Sequence, residues 1–165
     1  MTGDYPLLKN KMPKTIKKVW YKANILSVLI MLVIGVISVA VLFYLGWWRQ
    51  LWLWPAVIYF GMVAVVGIVT AVLVPYRYAF HRYEVTSDDL AFQEGYFFRS
   101  TTYVPINRIQ HVETEQGPFL RKEDLMELVV NTAATRHKIS GLTVSDAVKL
   151  RQQIIDLVKV TKEDV

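Results

Sequence analysis

Three residues with metal-binding or acid–base side chains alternate along one short stretch of the chain. His111, Glu113 and Glu115 are each separated by a single residue, so they share one face if the stretch is a β-strand. A borderline metal prefers more His or Cys ligands than this set offers, and a hard cation needs more converging oxygens. We interpret the three as exposed decoration of a strand, and we predict no metal site and no cofactor.

Common catalytic motifs are absent from the sequence. It contains no cysteine, no G-x-S-x-G, no phosphate-cradling glycine loop and no H-E-x-x-H. Its three histidines are scattered, and none has an evident paired nucleophile. We predict that the protein is not an enzyme.

The stretch INRIQHVETEQGPF, residues 106–119, is the most polar ordered segment. Ile106 and Ile109 are predicted to point into a core, and Gly117-Pro118 to end the strand. The polar side chains here either satisfy neighbouring backbone and shape the fold, or form an edge on which a partner or a lipid headgroup docks. We expect mainly the first role. The candidates for the second are Arg108, Gln110 and Gln116.

Charge and hydropathy divide the chain into an apolar part suited to a lipid bilayer and a polar part suited to water. No charged residue occurs in 23–48 or in 50–76, and Arg49 alone separates the two runs. Six lysines precede the first run, whereas twelve basic residues face thirteen acidic ones from Arg77 onward. The net charge of +5 is therefore not on the polar half, and we predict no nucleic-acid binding.

Each apolar run is long enough to cross a bilayer as a helix. A hydrocarbon core of about 30 Å needs roughly 20 apolar residues, and Ile25–Leu45 and Pro55–Val74 supply them. Tryptophans cluster in the connection, as is typical of a membrane surface. The alternatives are buried core helices, which the remaining chain is too short to cover, and a signal peptide cleaved after 38–40, although apolar sequence continues past that point.

The lysines predict how the chain is oriented in the membrane, and the apolar runs predict that they serve as an anchor. Basic residues concentrate outside the connection, so the positive-inside rule places both termini in the cytoplasm of a multi-pass membrane protein. Neither run contains Asp, Glu, Lys, Arg or His, which favours an anchor over a transporter or channel subunit. Gly67 and Ala71 are separated by three residues and are candidates for close packing of another helix and for oligomerisation.

The polar half has the pattern of short antiparallel strands followed by one helix. Tyr83 and Val85 alternate with polar residues, and 109–116 alternates in the same way. Thr143 is a candidate N-cap, and the apolar residues after it recur at helical spacing. We predict an α+β domain in which a curved antiparallel sheet or barrel is closed by the C-terminal helix.

Four motifs resemble the YdbS-like bacterial pleckstrin-homology (PH) domain family. They are Arg82-Tyr-Glu-Val-Thr86, Gly95-Tyr-Phe-Phe-Arg99, Val104-Pro-Ile-Asn-Arg-Ile-Gln110 and Gln116-Gly-Pro118. Members of this family carry two transmembrane helices ahead of a PH-like domain. The resemblance implies a basic cytoplasmic segment (1–22), a transmembrane hairpin (23–76) and a cytoplasmic PH-like domain (77–165). The chain departs from the family after Pro118, where 119–124 is charged and lacks the usual glycine.

The resemblance implies a non-catalytic scaffold or assembly subunit at the bacterial inner or plasma membrane, in envelope defence against antimicrobial compounds. Its expected partners are the lipid bilayer, further copies of itself and a larger membrane protein with related domains. The alternative is a sensor of anionic headgroups that uses the lysine-rich segment with Arg136 and Lys138. Phosphoinositide binding is not expected, since Asp88, Asp89 and Glu94 in the first hairpin would repel phosphate.

Overall fold

The computed structural model describes residues 7–95 and 99–163, with side chains up to residue 160. The helices in these ranges are α1 (Ile16–Tyr44), α2 (Leu53–Phe80), α3 (Pro118–Arg121) and α4 (Val144–Glu163). The strands are β1 (Asn10–Lys11), β2 (Arg82–Val85), β3 (Asp89–Gly95), β4 (Arg99–Pro105), β5 (Ile109–Glu115), β6 (Leu125–Thr132) and β7 (Arg136–Thr143). The chain divides into two compact units, one of Trp20–Val74 and the other of the residues up to Val19 together with those from Pro75 onward.

The second unit has the predicted fold class. Its strands form a four-stranded sheet in the order β1-β2-β3-β4 and a three-stranded sheet in the order β5-β6-β7, and every pairing is antiparallel. Helix α4 packs against strands of the second sheet. The prediction of antiparallel sheet covered by a C-terminal helix is confirmed, with the correction that the strands form two open sheets and not one closed barrel.

The C-terminal helix begins where the sequence predicts. The Asp146 backbone N–H donates to the Thr143 hydroxyl at 3.1 Å, which satisfies one of the free amides of the first turn. Ala147, Leu150 and Ile154 recur at spacings of three and four and are buried, so they form the core-facing side of α4. This face contacts a 3-10 turn at Ile106–Arg108 as well as the sheet.

The segment before α1 is part of the same unit as the sheets. β1 pairs with β2, with Asn10 opposite Tyr83 and Lys11 opposite Arg82. Four apolar residues of the segment and of the first turn of α1 are buried: Leu8, Met12, Ile16 and Val19. An apolar stripe therefore lies between the lysines and enters the core, so part of the predicted basic segment 1–22 belongs to the same compact unit as the sheets.

Hydrogen bonds also fix this segment onto the unit. The Leu8 N–H donates to the buried Gln93 amide oxygen at 3.1 Å, and the Leu8 carbonyl accepts from Arg82 at 3.0 Å. The Tyr78 hydroxyl donates to the Met12 carbonyl at 2.8 Å. The segment is consequently folded chain in addition to being a source of positive charge.

The first unit contains the apolar parts of two long helices. Both α1 and the stretch from Gln50 to Phe80 are long and apolar enough to cross a membrane, and only 6% of each most apolar window is buried. The predicted spans lie inside these helices, except that Leu45 follows the last residue of α1. Pro75 lies inside α2, which continues through it to Phe80. An internal proline removes one backbone hydrogen bond, and transmembrane helices tolerate such prolines.

The charged stretch that departs from the family pattern forms α3 and a turn. Pro118 occupies the first turn of α3, where its missing N–H is not needed. Asp124 follows with a φ of 53°, a left-handed conformation that glycine adopts most easily and that Asp tolerates better than most residues. The chain therefore makes this turn without a glycine.

Gly141 provides a test of the packing between β7 and the first turn of α1. Its φ is +93°, and a Cβ at this position would lie 2.5 Å from Cδ1 of the buried Ile16. We expect Gly141→Ala to lower the free energy of unfolding by about 2–4 kcal/mol, from backbone strain and overpacking. Gly117→Ala is the matched control, because its Cβ meets nothing within 4 Å. Urea denaturation of the detergent-solubilised chain measures both, and equal stabilities would contradict this packing.

Because of His81, the stability of the second unit is expected to depend on pH. Burial, reinforced by the charge of Arg77, lowers the pKa of His81 from 6.5 to about 4, although a hydrogen bond with the Ser140 backbone opposes the shift. The unfolded chain therefore takes up a proton near pH 6.5 and the folded chain only near 4. Stability is retained above this window and is lost as pH falls through it, by about 3 kcal/mol in total.

The measurement is the free energy of unfolding between pH 7 and pH 4 for the wild type and for His81→Gln. We expect the variant to lack the part of the pH dependence that begins near 6.5. His111→Gln is the control, since this histidine side chain is 68% exposed. Identical pH profiles for the wild type and His81→Gln would rule out the buried neutral imidazole.

Candidate partner-binding groove

An open groove of about 500 Å³ lies on the second unit, between the end of β4, the Ile106–Arg108 turn and the turn that joins β6 to β7. It brings together two of the sequence candidates, Arg108 and Gln110, with residues that are distant in sequence. The polar and aromatic groups along it are Tyr103, Asn107, Arg108, Gln110, Thr132, Thr135 and His137.

One wall of the groove is positioned by buried isoleucines. Ile106 and Ile109 are almost fully buried, as predicted, and the Ile106 N–H donates to the Asp88 carbonyl at 2.9 Å. The side chains between and beside them, Arg108 and Gln110, are exposed. The apolar residues of this motif thus shape the core, and their packing presents Arg108 and Gln110 to solvent.

The opposite wall is a turn stabilised by hydroxyl groups. The Thr132 N–H donates to the Thr135 carbonyl at 2.9 Å, and the hydroxyls of both threonines are 3.1 Å apart. A hydrogen bond of 2.8 Å joins the Thr135 hydroxyl to His137 Nε2. The His137 ring also packs against Phe92, with ring centroids 5.2 Å apart. These contacts fix the wall before any ligand binds.

The groove carries positive charge, and no carboxylate lines it. None of its lining residues is acidic, and Arg108 has no ion-pair partner in the part of the chain that the structure describes. Amides and hydroxyls supply the remaining hydrogen-bonding groups, and Tyr103 is 58% exposed beside them. Such a surface suits an extended peptide that carries a carboxylate.

The candidate Gln116 has a structural contact. Its side-chain amide donates to the Leu125 carbonyl at 2.9 Å, so it links the end of β5 to the start of β6. It does not line the groove.

Arg136 and Lys138 are paired with acidic residues. Both donate to the Glu115 carboxylate, and Lys138 also lies 3.7 Å from Glu127. The hydrogen bond from Lys138, together with both positive charges, lowers the pKa of Glu115, and the same bond raises the pKa of Lys138. Two basic residues thus face two acidic ones, which weakens the case for this turn as a headgroup site.

His111, Glu113 and Glu115 do not converge on a common point. Glu113 accepts from Asn131 at 2.7 Å and lies 3.8 Å from His111, whereas Glu115 pairs with the basic residues of β7. Within residues 7–95 and 99–160, no group of three or more metal-ligating side chains is gathered.

Gly67 packs against the other helix of its own hairpin. A Cβ on Gly67 would lie 2.7 Å from Val28 of α1, and the Gly67 carbonyl accepts from Asn24 at 3.0 Å. The Thr70 hydroxyl donates to the Asn24 side-chain oxygen at 2.6 Å. This glycine therefore allows close approach of the other helix of the same chain, while Ala71 is half-buried one turn further along α2.

The groove residues that come from elsewhere in the chain could not be predicted from local sequence patterns. Tyr103, Thr135 and His137 lie on β4 and around the β6–β7 turn, and only the strand pairing brings them near Arg108. A cluster of Thr and Ala at 132–135 does indicate a turn. It does not indicate which part of the chain the turn faces.

Comparisons with known proteins agree with the motifs and the fold. The sequence profile of the Bacterial PH domain family matches residues 15–158. The chain is 38% identical over 159 residues to the UPF0699 transmembrane protein YdbS of Bacillus subtilis (strain 168), covering 95% of this chain and 97% of that protein. No solved structure matches the chain. With its two apolar helices and its antiparallel sheets, the chain belongs to the bacterial PH domain family and is a membrane protein of the YdbS type.

Proposed function

We propose that this protein is a membrane-anchored, non-catalytic scaffold or assembly subunit whose PH-like unit binds another protein through the groove at Arg108. The observation that carries the proposal is the groove itself: a preformed, positively charged surface without an acidic residue in its lining. Arg108 supplies a bidentate donor for a carboxylate, and the neighbouring amides and hydroxyls suit a peptide backbone.

No pair of side chains suited to catalysis lines the groove, which supports a binding role. Its histidine, His137, is held by Thr135 and Phe92, and no Asp, Glu or Lys lines the groove beside it. General acid–base or nucleophilic catalysis needs such a second group within reach.

The pairing of β1 with β2 supports a topology in which both ends of the helical hairpin lie on one side of the bilayer. These strands precede and follow the two long helices, which agrees with a chain that enters and leaves the bilayer on the same side. Six lysines lie before the first apolar run and one arginine in the connection, and the positive-inside rule then makes that side cytoplasmic. The protein would be a two-pass protein of the bacterial plasma membrane with both termini in the cytoplasm.

The partner that we propose is a second copy of the chain or a larger membrane protein with related PH-like domains. A protein fixed to the bilayer meets other membrane proteins at high effective concentration. A groove on its membrane-anchored domain therefore needs only moderate intrinsic affinity. The family resemblance adds the context in which such an assembly would act, envelope defence against antimicrobial compounds.

A photo-crosslinking residue in place of Tyr103 tests the groove in native membranes. This side chain is 58% exposed beside Arg108, so a bound partner lies within reach of the probe. We expect a crosslink to a second copy or to another PH-like membrane protein, identified by mass spectrometry. Reversal of the charge by Arg108→Glu should reduce the crosslink at least tenfold, because it removes a charge-assisted contact worth about 1.5–3 kcal/mol.

Arg121→Glu is the matched control for that experiment. Arg121 is exposed on α3 and does not line the groove, so the same change of net charge there should leave the crosslink intact. Equal losses in both variants, or a crosslink that Arg108→Glu does not weaken, would contradict the assignment.

A second candidate function is binding of anionic lipid headgroups, and the lysine-rich segment favours it. Lys11 and Lys14 are exposed, and neither has an ion-pair partner in the described ranges. They precede α1 directly, so they lie close to the membrane surface. The two functions use different surfaces and are compatible in one protein.

A further inference from the structure

The last turns of α2 extend beyond the apolar span. Pro75 follows the last residue of the predicted span, and the helix continues to Phe80. At about 1.5 Å per residue, residues 75–80 cover roughly 8 Å. The headgroup region on each side of the hydrocarbon core is about 5–8 Å thick. These residues therefore place their side chains among the lipid headgroups.

Arg99 is held against this part of α2 by two contacts. Its guanidinium carbon lies 3.9 Å from the centroid of the Phe80 ring, and its Nη2 donates to the Tyr76 hydroxyl at 3.4 Å. The two rings pack together with centroids 4.9 Å apart. Because both partners are on the headgroup segment, the positive charge of Arg99 is fixed at headgroup depth.

The charge of Arg99 is available for a ligand. Arg99 is exposed, and it makes no ion pair with any residue that the structure describes. Glu94 lines the same small recess but does not pair with it. Tyr76 is 41% exposed, and its hydroxyl, which accepts from Arg99, retains its own proton to donate.

A second cation lies at the same level on another face of the helix. Lys17 Nζ is 4.3 Å from the centroid of the Tyr78 ring, and Tyr78 points to the opposite side of α2 from Tyr76 because two residues correspond to about 200° of rotation. Lys17 likewise has no ion pair within the described residues. Positive charge thus flanks the helix on two sides at this depth.

We propose that Arg99 and Tyr76 form a binding site for the phosphate of an anionic phospholipid. A guanidinium with one face on an aromatic ring keeps its N–H edge free for bidentate bonds to phosphate oxygens, and the tyrosine hydroxyl donates a further bond. The depth of the site selects a lipid over a soluble ligand. The inference gives a specific site to the second candidate function and rests on α2 crossing the bilayer, but not on the groove at Arg108.

The test is the preference for phosphatidylglycerol over phosphatidylcholine of the full chain in mixed-lipid nanodiscs, counted as retained lipids by native mass spectrometry. Arg99→Gln should lower this preference about fivefold, the effect of one basic residue at the membrane surface. Tyr76→Phe keeps the ring that stacks on Phe80 and removes only the hydroxyl, so a smaller loss in the same direction is expected. Arg121→Gln, which removes an exposed charge on α3, should leave the preference unchanged.

Two outcomes would overturn the site. One is a preference in Arg99→Gln equal to that of Arg121→Gln, which would mean that only overall charge matters. The other is equally tight binding of inorganic phosphate to the protein in detergent without lipid, which would identify a soluble anion as the ligand. If Arg99→Gln fails to fold, Tyr76→Phe decides, and an unchanged preference in that variant counts against the proposal.

Discussion

The pairing of β1 with β2 across an inserted pair of helices is the constraint on which the rest of the structure depends. Strand β1 has only two residues, and its position is secured by burial of Leu8, Met12 and Ile16 and by hydrogen bonds to Leu8. Since these residues precede the hairpin and their partners follow it, the fold of the PH-like unit agrees with the proposed topology, in which both connections are on one side of the bilayer. Fold and charge thus support the same proposal.

The same arrangement positions the two surfaces of the PH-like unit that we propose as binding sites. Residues 75–80 continue α2 beyond its apolar span, and Arg99 of β4 is fixed to them through Phe80 and Tyr76. The other end of β4 leads to the groove at Arg108, where buried isoleucines hold the polar residues outward. One strand therefore connects the proposed lipid contact to the proposed protein contact. Both surfaces use a cation that no carboxylate of the described chain neutralises.

Local patterns predicted most elements, and long-range pairing explains what they missed. The spans, the strands and the Thr143 cap follow from hydropathy, alternation and capping, all of which are properties of neighbouring residues. The role of residues 8–19 was not predictable in this way, because lysines interrupt the apolar stripe and a two-residue strand carries no periodicity. For the same reason Arg136 and Lys138 were candidates for headgroup binding in the sequence, because their partner Glu115 is on another strand. The groove residues contributed by β4 and the β6–β7 turn required the three-dimensional fold.

The most direct test of this account is a disulfide between cysteines at Asn10 and Tyr83, which lie opposite each other in β1 and β2. The chain has no native cysteine, and directly opposed Cβ atoms of paired strands are about 5 Å apart. We predict that mild oxidation of intact membranes forms the bond within one chain, whereas cysteines at Asn10 and Arg121 do not react. Failure of the Asn10–Tyr83 pair to react, with the two cysteines labelled from opposite sides of the membrane, would contradict the interrupted fold.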